Sequence, residues 1–320
     1  MEIGPDGAIR GQVRAVGHQR VVHGLYRRET PALSEWENFR LDLSALRMVL
    51  PRGAAFTHVT GARVRGWDLP ALPEKVPFFA AVRGPGRPRR PGVICSRLTH
   101  PSEVELVQGL PVDEPAEILL RAARDLGEVD LAIMLESAVR LGDIEPAAVE
   151  EVLASKRPGT TILRRVWERR NPRSESPGET LLHKFHQVMD VETEPQVDIF
   201  DDDGTFVCRA DLLVCGTTSL HEYDGEIHRD QRVHRRDLRR ERALASTPYV
   251  RRGYTLDDLL NHPAALMHEL DRLLDRSHRP RRLRAWRTLI GDSLYSHTGR
   301  ARVMNRWYRS TNPTDWARTA

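Results

Sequence analysis

Lysine is almost missing from this chain of 320 residues: of 49 basic residues only Lys75, Lys156 and Lys184 are lysines, and the rest are arginines. Such a bias reads first as a GC-rich coding sequence, so the total carries little functional information. Cysteine is scarce as well. Cys95, Cys208 and Cys215 form an odd, sparse set that builds no disulfide framework and suits a reducing compartment. No apolar run reaches the roughly 18 residues a membrane helix needs, since "VPFFAAV" and "LAIML" are far too short. The start "MEIGPDGAIRGQ" lacks the basic-then-apolar order of a signal peptide. The expectation is a soluble, cytoplasmic protein with no membrane partner.

With 40% hydrophobic and 29% charged residues, the chain can bury two ordinary cores. Its net charge of +4 is unevenly spread. Residues 271–320 hold 12 arginines, no lysine and 4 aspartates, a net of +8, so residues 1–270 sum to −4. Two Pro/Gly/Arg-rich stretches punctuate the chain, "RGPGRPRRPG" at 83–92 and "RRNPRSESPGE" at 169–179, and the second reads as a domain boundary. Three parts are expected: an N-terminal region 1–168, a second domain 169–276, and a basic, aromatic-containing extension 277–320.

Before the boundary, "RVVHGLYRR" and "AAFTHVTGARVRGW" suggest a small mixed region. Helical spacing of apolar residues then fits three helices between 113 and 155, the first starting where Asp113 or Glu114 precedes Pro115. After it the pattern changes. "SPGETLLHKFHQVM" is an amphipathic helix, with Leu181, Leu182, Phe185 and Val188 as its stripe. "PQVDIF" and "TFVCRADLLV" are strands joined by the turn "DDDG", "SLHEY" is a third, and an arginine-rich helix follows from about 229 to 246. "PYVRRGY" can add a fourth strand before the helix "TLDDLLNHPAALMHELDRLLDR". The fold class expected is α/β (α+β), with a mixed sheet flanked by helices in the second domain.

The chemistry gathers on that sheet. Strand alternation puts Asp211 on the face of Arg209 and Leu213, and puts Glu222 with Asp224 and Leu220 on one face of the next strand. A carboxylate among apolar strand residues needs a partner. Two carboxylates at similar depth on neighbouring strands suit a hard divalent ion such as Mg²⁺, which can promote phosphodiester hydrolysis. Bland alternatives stand beside this. Asp211 can pair with an arginine of the 229–242 helix, Glu222 and Asp224 can form a polar turn, Glu179 can support its helix start, and His228 can be a helix-entry residue. Zinc on Cys208, Cys215 and His221 matches no familiar tetrahedral spacing.

The order of Glu179 on a helix, Asp211 on a strand, and Glu222 with Asp224 on the next resembles the PD-(D/E)XK nuclease superfamily. "RADLL", "HEYDGEIH" and "RRDLRRERAL", over about residues 174–260, resemble more narrowly its Vsr-like (very short patch repair type) endonuclease domain. The resemblance implies a Mg²⁺-dependent DNA endonuclease, with Mn²⁺ as a substitute, acting in DNA repair or phage defence. Asp211 and Glu222 would ligate metal, Glu179 would assist through water, Asp224 would complete the site, His228 would serve as base, and Asp237 and Arg240 would support them. The superfamily pattern expects a lysine where Asp224 stands. Lys184, five residues after Glu179, leaves that helix face, whereas His183 shares it. The role of the lysine thus falls to His228 or to the metal.

Residues 14–155 resemble, more weakly, the AbiEi-like antitoxin proteins, in which a winged helix precedes a helical segment. Here only about twenty residues precede "VVHGLYRR", too few for a recognition helix. That resemblance implies the alternative function of a non-catalytic, DNA- or partner-binding regulator with a cognate toxin. For DNA the expected contacts are Arg281, Arg282, Arg284, Trp286 and Arg287 in the tail, with Arg235 and Arg239. The competing view of the tail is a helix packed on the body by Leu283, Trp286 and Ile290.

Overall fold

A computed structural model describes residues 2–11, 16–83, 88–98, 103–225 and 241–311. They form a mixed α and β structure with three sheets. The first is an antiparallel sheet of β1 (Glu2–Ile3), β2 (Ile9–Arg10), β3 (His18–Val22) and β4 (Leu25–Arg28), in the order β1-β2-β4-β3. Helix α1 (Glu35–Leu46) follows, its capping box closed by Ser34 and Glu37. The second sheet comprises β5 (Ala55–Phe56), β6 (Phe78–Val82), β7 (Val93–Arg97), β8 (Val104–Val107) and β9 (Leu110–Asp113), in the order β7-β6-β5-β9-β8. Helix α2 (His58–Val64) links its first two strands.

Four helices come next: α3 (Pro115–Ala122), α4 (Glu128–Arg140), α5 (Pro146–Ala154) and α6 (Thr160–Glu168). The first three are those the periodicity predicts, and Pro115 opens α3 behind Glu114 as expected. Helix α4 is unusual: every residue from Val129 to Ala138 is buried. The reason is its place between two cores. Leu131, Ala132, Met134 and Leu135 belong to the larger core with the first two sheets, while Val129 and Ile133 belong to the core of the third sheet.

The third sheet carries the acids. Helix α7 (Pro177–Val188) packs Leu181, Leu182 and Phe185 against Leu212 and Val214. Strands β10 (Thr193–Phe200), β11 (Phe206–Val214), β12 (Ser219–Tyr223) and β13 (Val250–Tyr254) follow and lie in chain order. The first two pairings are antiparallel and β12 pairs parallel with β13. A parallel neighbour requires a crossover. Of that crossover, residues 241–244 are described and helical, and Leu244 packs with Leu213 and Leu220. Of the arginine-rich helix expected from about 229 to 246, residues 229–240 lie outside the described residues and 245–246 form a turn.

The single helix expected over 255–276 is two, α8 (Leu256–Asn261) and α9 (Pro263–Leu273). Pro263 has no N–H to continue the first and restricts His262, so the chain restarts there. The tail is not a loose appendage. In α10 (Pro280–Gly291) Trp286 enters the second core, and in α11 (His297–Ser310) Val303 and Trp307 enter the first. Between them the Leu294 N–H reaches both oxygens of Asp130 in α4 at 3.0 Å.

Candidate functional site

At the N-terminus of α7 the Ser176 hydroxyl accepts from the Glu179 N–H at 3.2 Å, and the Glu179 carboxylate accepts in return from the Glu175 N–H and the Ser176 hydroxyl, each at 2.8 Å. Glu179 therefore does support its helix start. It does more. Gln196 in β10 sits at φ 53, in the left-handed region, and its amide donates to the same carboxylate at 2.9 Å. Burial, with a contribution from the nearby negative charge of Asp211, pushes the Glu179 carboxyl up to about 7. A carboxyl of that kind changes charge in the neutral range.

Asp211 stands at a fork. The β11–β12 pairing runs through Leu213 with Leu220 and Leu212 with His221. One step further the same register sets Asp211 opposite Glu222, on one face. There the Asp211 carboxylate takes the Tyr223 N–H at 2.8 Å, so a side chain replaces the next rung of the ladder. Behind it the Tyr223 ring lies so close to Gly178 that a Cβ on Gly178 would come within 2.1 Å of it. The glycine thus lets the start of α7 approach the fork.

Sequence reasoning missed two neighbours, Arg251 and Gly253. In the parallel β12–β13 register Leu220 faces Arg251 and Glu222 faces Gly253. Arg251 Nε donates to Glu222 at 2.5 Å and its terminal nitrogen donates to Asp224 at 2.8 Å, so one guanidinium bridges both acids. Glu222 is nearly buried, with a side chain 5% exposed, whereas Arg251 is 25% and Asp224 36% exposed. A Cβ on Gly253 would stand 1.7 Å from the Asp224 carboxylate, so only glycine admits that acid. The available signal was alternation in "VRRGY", which puts Arg251 and Gly253 on one face.

Glu179, Asp211, Glu222 and Asp224 thus gather around one end of the third sheet. Other expected residues do not join them. Lys184 is buried and donates to the Arg169 carbonyl at 2.8 Å, tying down the 169–176 connection. His183 is buried too, and burial carries its imidazole down to about 3. His221 cannot serve zinc as it stands, because its ring nitrogens face His186 at 2.8 Å and Ser219 at 2.9 Å. His186 faces the Leu182 carbonyl, which only accepts, so the chain of donors runs Ser219 to His221 to His186 to Leu182 with both rings neutral. His228, Arg235, Arg239, Asp237 and Arg240 lie outside the described residues.

The tail corrects part of the expected DNA surface. Trp286 is buried, its N–H donates to the Leu259 carbonyl at 2.8 Å, and Phe185 packs edge-on at 5.1 Å. Its ring cannot stack on a base. Arg282 is buried as well and pairs with Asp190 at 2.9 Å and Asp271 at 3.1 Å. Arg281, Arg284 and Arg287 are exposed.

In donor chemistry the acids fit a hard divalent ion, which takes one or two protein carboxylates and completes its shell with phosphate and water oxygens. Asp211 and Glu222 are the pair across the fork. Among the described residues no three His, Cys, Asp or Glu side chains stand close enough to hold one ion together. The chain matches no family model, no curated protein and no solved structure.

Proposed function

We propose that the third-sheet unit is a metal-dependent DNA endonuclease of the Vsr-like kind. The observation that carries this reading is the fork itself: the strand ladder ends at Leu212 and His221, Asp211 and Glu222 are the next residues on either side, and the Asp211 carboxylate takes the Tyr223 N–H. Glu179 joins them through the field of Asp211, and Asp224 through the shared Arg251. Asp211 and Glu222 would hold Mg²⁺ or Mn²⁺ and Glu179 would assist through water. A divalent ion there supplies charge neutralisation for the scissile phosphate and eases ionisation of the attacking water. The protein's own part is orientation. Tyr223 N–H fixes Asp211, and the α7 cap and Gln196 fix Glu179. Exposed Arg281, Arg284 and Arg287 provide charge for phosphates.

Incubating supercoiled plasmid DNA with the protein and Mg²⁺ or Mn²⁺ tests the reading. Nicking that needs the metal and disappears in Asp211→Asn and Glu222→Gln is the expected result; nicking that survives either change rejects it.

A second reading, a non-catalytic DNA- or partner-binding regulator of the AbiEi antitoxin type, draws on the Arg251 bridge, which already neutralises two of the acids. It predicts DNA or toxin-partner binding that weakens steeply with salt, with no cleavage in any divalent metal.

A further inference from the structure

Glu222 presents a physical problem that its surroundings solve in a particular way. A carboxylate only 5% exposed does not stand alone, because losing hydration costs more than any weak contact returns. Among the described residues it pairs with the Arg251 guanidinium, held at 2.5 Å, and the same guanidinium spans to Asp224 at 2.8 Å. Arg251 is the second residue of β13, and its side chain is one quarter exposed. Nothing of its size would be needed if Asp224 pointed away, but Gly253 leaves an open space into which Asp224 folds, so that both acids converge on one cation.

We propose that Arg251 is a resident cation of the acid site, standing where a divalent ion would draw on Glu222, and that it must leave Glu222 for the ion to enter. The proposal rests on the nuclease reading above. A compact divalent ion gives Glu222 more charge at shorter range than a guanidinium does, so the exchange keeps the buried acid neutralised throughout. Arginine on a flexible stem can move its head into solvent while its methylenes stay on the sheet. Once released, the planar fork remains beside the site, where it matches two oxygens of a phosphate. Arg251 would then be a positioning residue with two stations: the acids in the metal-free protein, the DNA backbone in the loaded complex.

The test is Mn²⁺ binding to the full chain, read from the loss of the free-ion electron paramagnetic resonance signal, in the absence of DNA. Wild type, Arg251→Gln and the double variant Glu222→Gln/Arg251→Gln are compared. Two charge-assisted hydrogen bonds no longer compete in Arg251→Gln, so it binds Mn²⁺ at least about tenfold more tightly than wild type. That gain vanishes in the double variant. Equal affinities of wild type and Arg251→Gln overturn the resident-cation proposal while leaving the metal site standing. Absence of binding in all three proteins overturns the proposal and the metal-dependent reading together. Circular dichroism checks folding; should Arg251→Gln fail to fold, Arg251→Lys takes its place, since lysine is shorter and lacks the planar fork that holds Glu222 and Asp224 at once. Its affinity then exceeds that of wild type, and a wild-type value overturns the proposal.

Discussion

Gly253 decides where the Asp224 carboxylate can go, and through it how Arg251 is held. A methyl group there would stand 1.7 Å from a carboxylate oxygen, with the Glu222 partner directly across the ladder. Gly253→Ala should therefore expel Asp224, cost about 1–3 kcal/mol by overpacking, and show this as a lowered denaturation midpoint in urea. An unchanged midpoint means that Asp224 was never confined. The His186–His221 pair makes a second residue-scale prediction. Burial takes these imidazoles down to about 4 and about 2 from an ordinary value of 6.5. Groups depressed in the folded state favour folding fully above the unfolded pKa, and the contribution is lost as pH falls from about 6.5 toward the folded values. The melting temperature should fall across pH 6.5 to 4, and His186→Phe/His221→Phe should reduce that slope. An equal slope in the double variant assigns the acid sensitivity elsewhere. The acids of the site were legible because alternation and turn chemistry mark Asp211, Glu222 and Asp224 in the sequence. Arg251 was not, because in a chain so rich in arginine one more carries no signal until the parallel register sets it beside Leu220.

At the scale of elements, α7 and the third sheet are joined at two points. Phe185 and its neighbours pack on Leu212 and Val214, and Gly178 admits the Tyr223 ring at the helix start. Gly178→Ala would place a Cβ 2.1 Å from that ring, so it should lift the N-terminus of α7 off the fork. The expected cost is about 1–3 kcal/mol in equilibrium unfolding, although alanine is the better helix former by roughly 1 kcal/mol. A stabilised protein would show that propensity wins and that the contact is soft. The sequence order of helix, three strands, crossover and strand could be read because each element carries its own period. Its sheet neighbours could not, since the parallel pairing of β12 with β13 joins strands separated by residues 224–249, a connection that no local period marks. The same reason hid the break at His262: the apolar period continues across α8 and α9, and only the missing N–H of Pro263 divides them.

Across the whole molecule, the two cores are not independent. Helix α4 gives side chains to both, and the tail returns to seal both through Trp286 and Trp307. Trp307 stands edge-on to Phe79 at 5.3 Å and donates to Asp125 at 3.1 Å, while Asp130 takes the Leu294 N–H. Trp286→Ala should cost about 3–5 kcal/mol in equilibrium unfolding, as large core truncations do. A shift below 1 kcal/mol in denaturant unfolding would mark the tail as an accessory, as its composition suggested. Charge made that tail look like a nucleic-acid arm. Its apolar spacing, Leu283, Trp286 and Ile290, was the better guide to where it lies. The nuclease reading requires Asp211 and Glu222 to share a metal. Crystals soaked in MnCl₂ and measured at the manganese edge answer this directly. The expected result is one anomalous peak about 2 Å from oxygens of both Asp211 and Glu222, with Arg251 turned away from Glu222. Density that keeps Arg251 on Glu222 at saturating Mn²⁺, with no peak between the two acids, would contradict it.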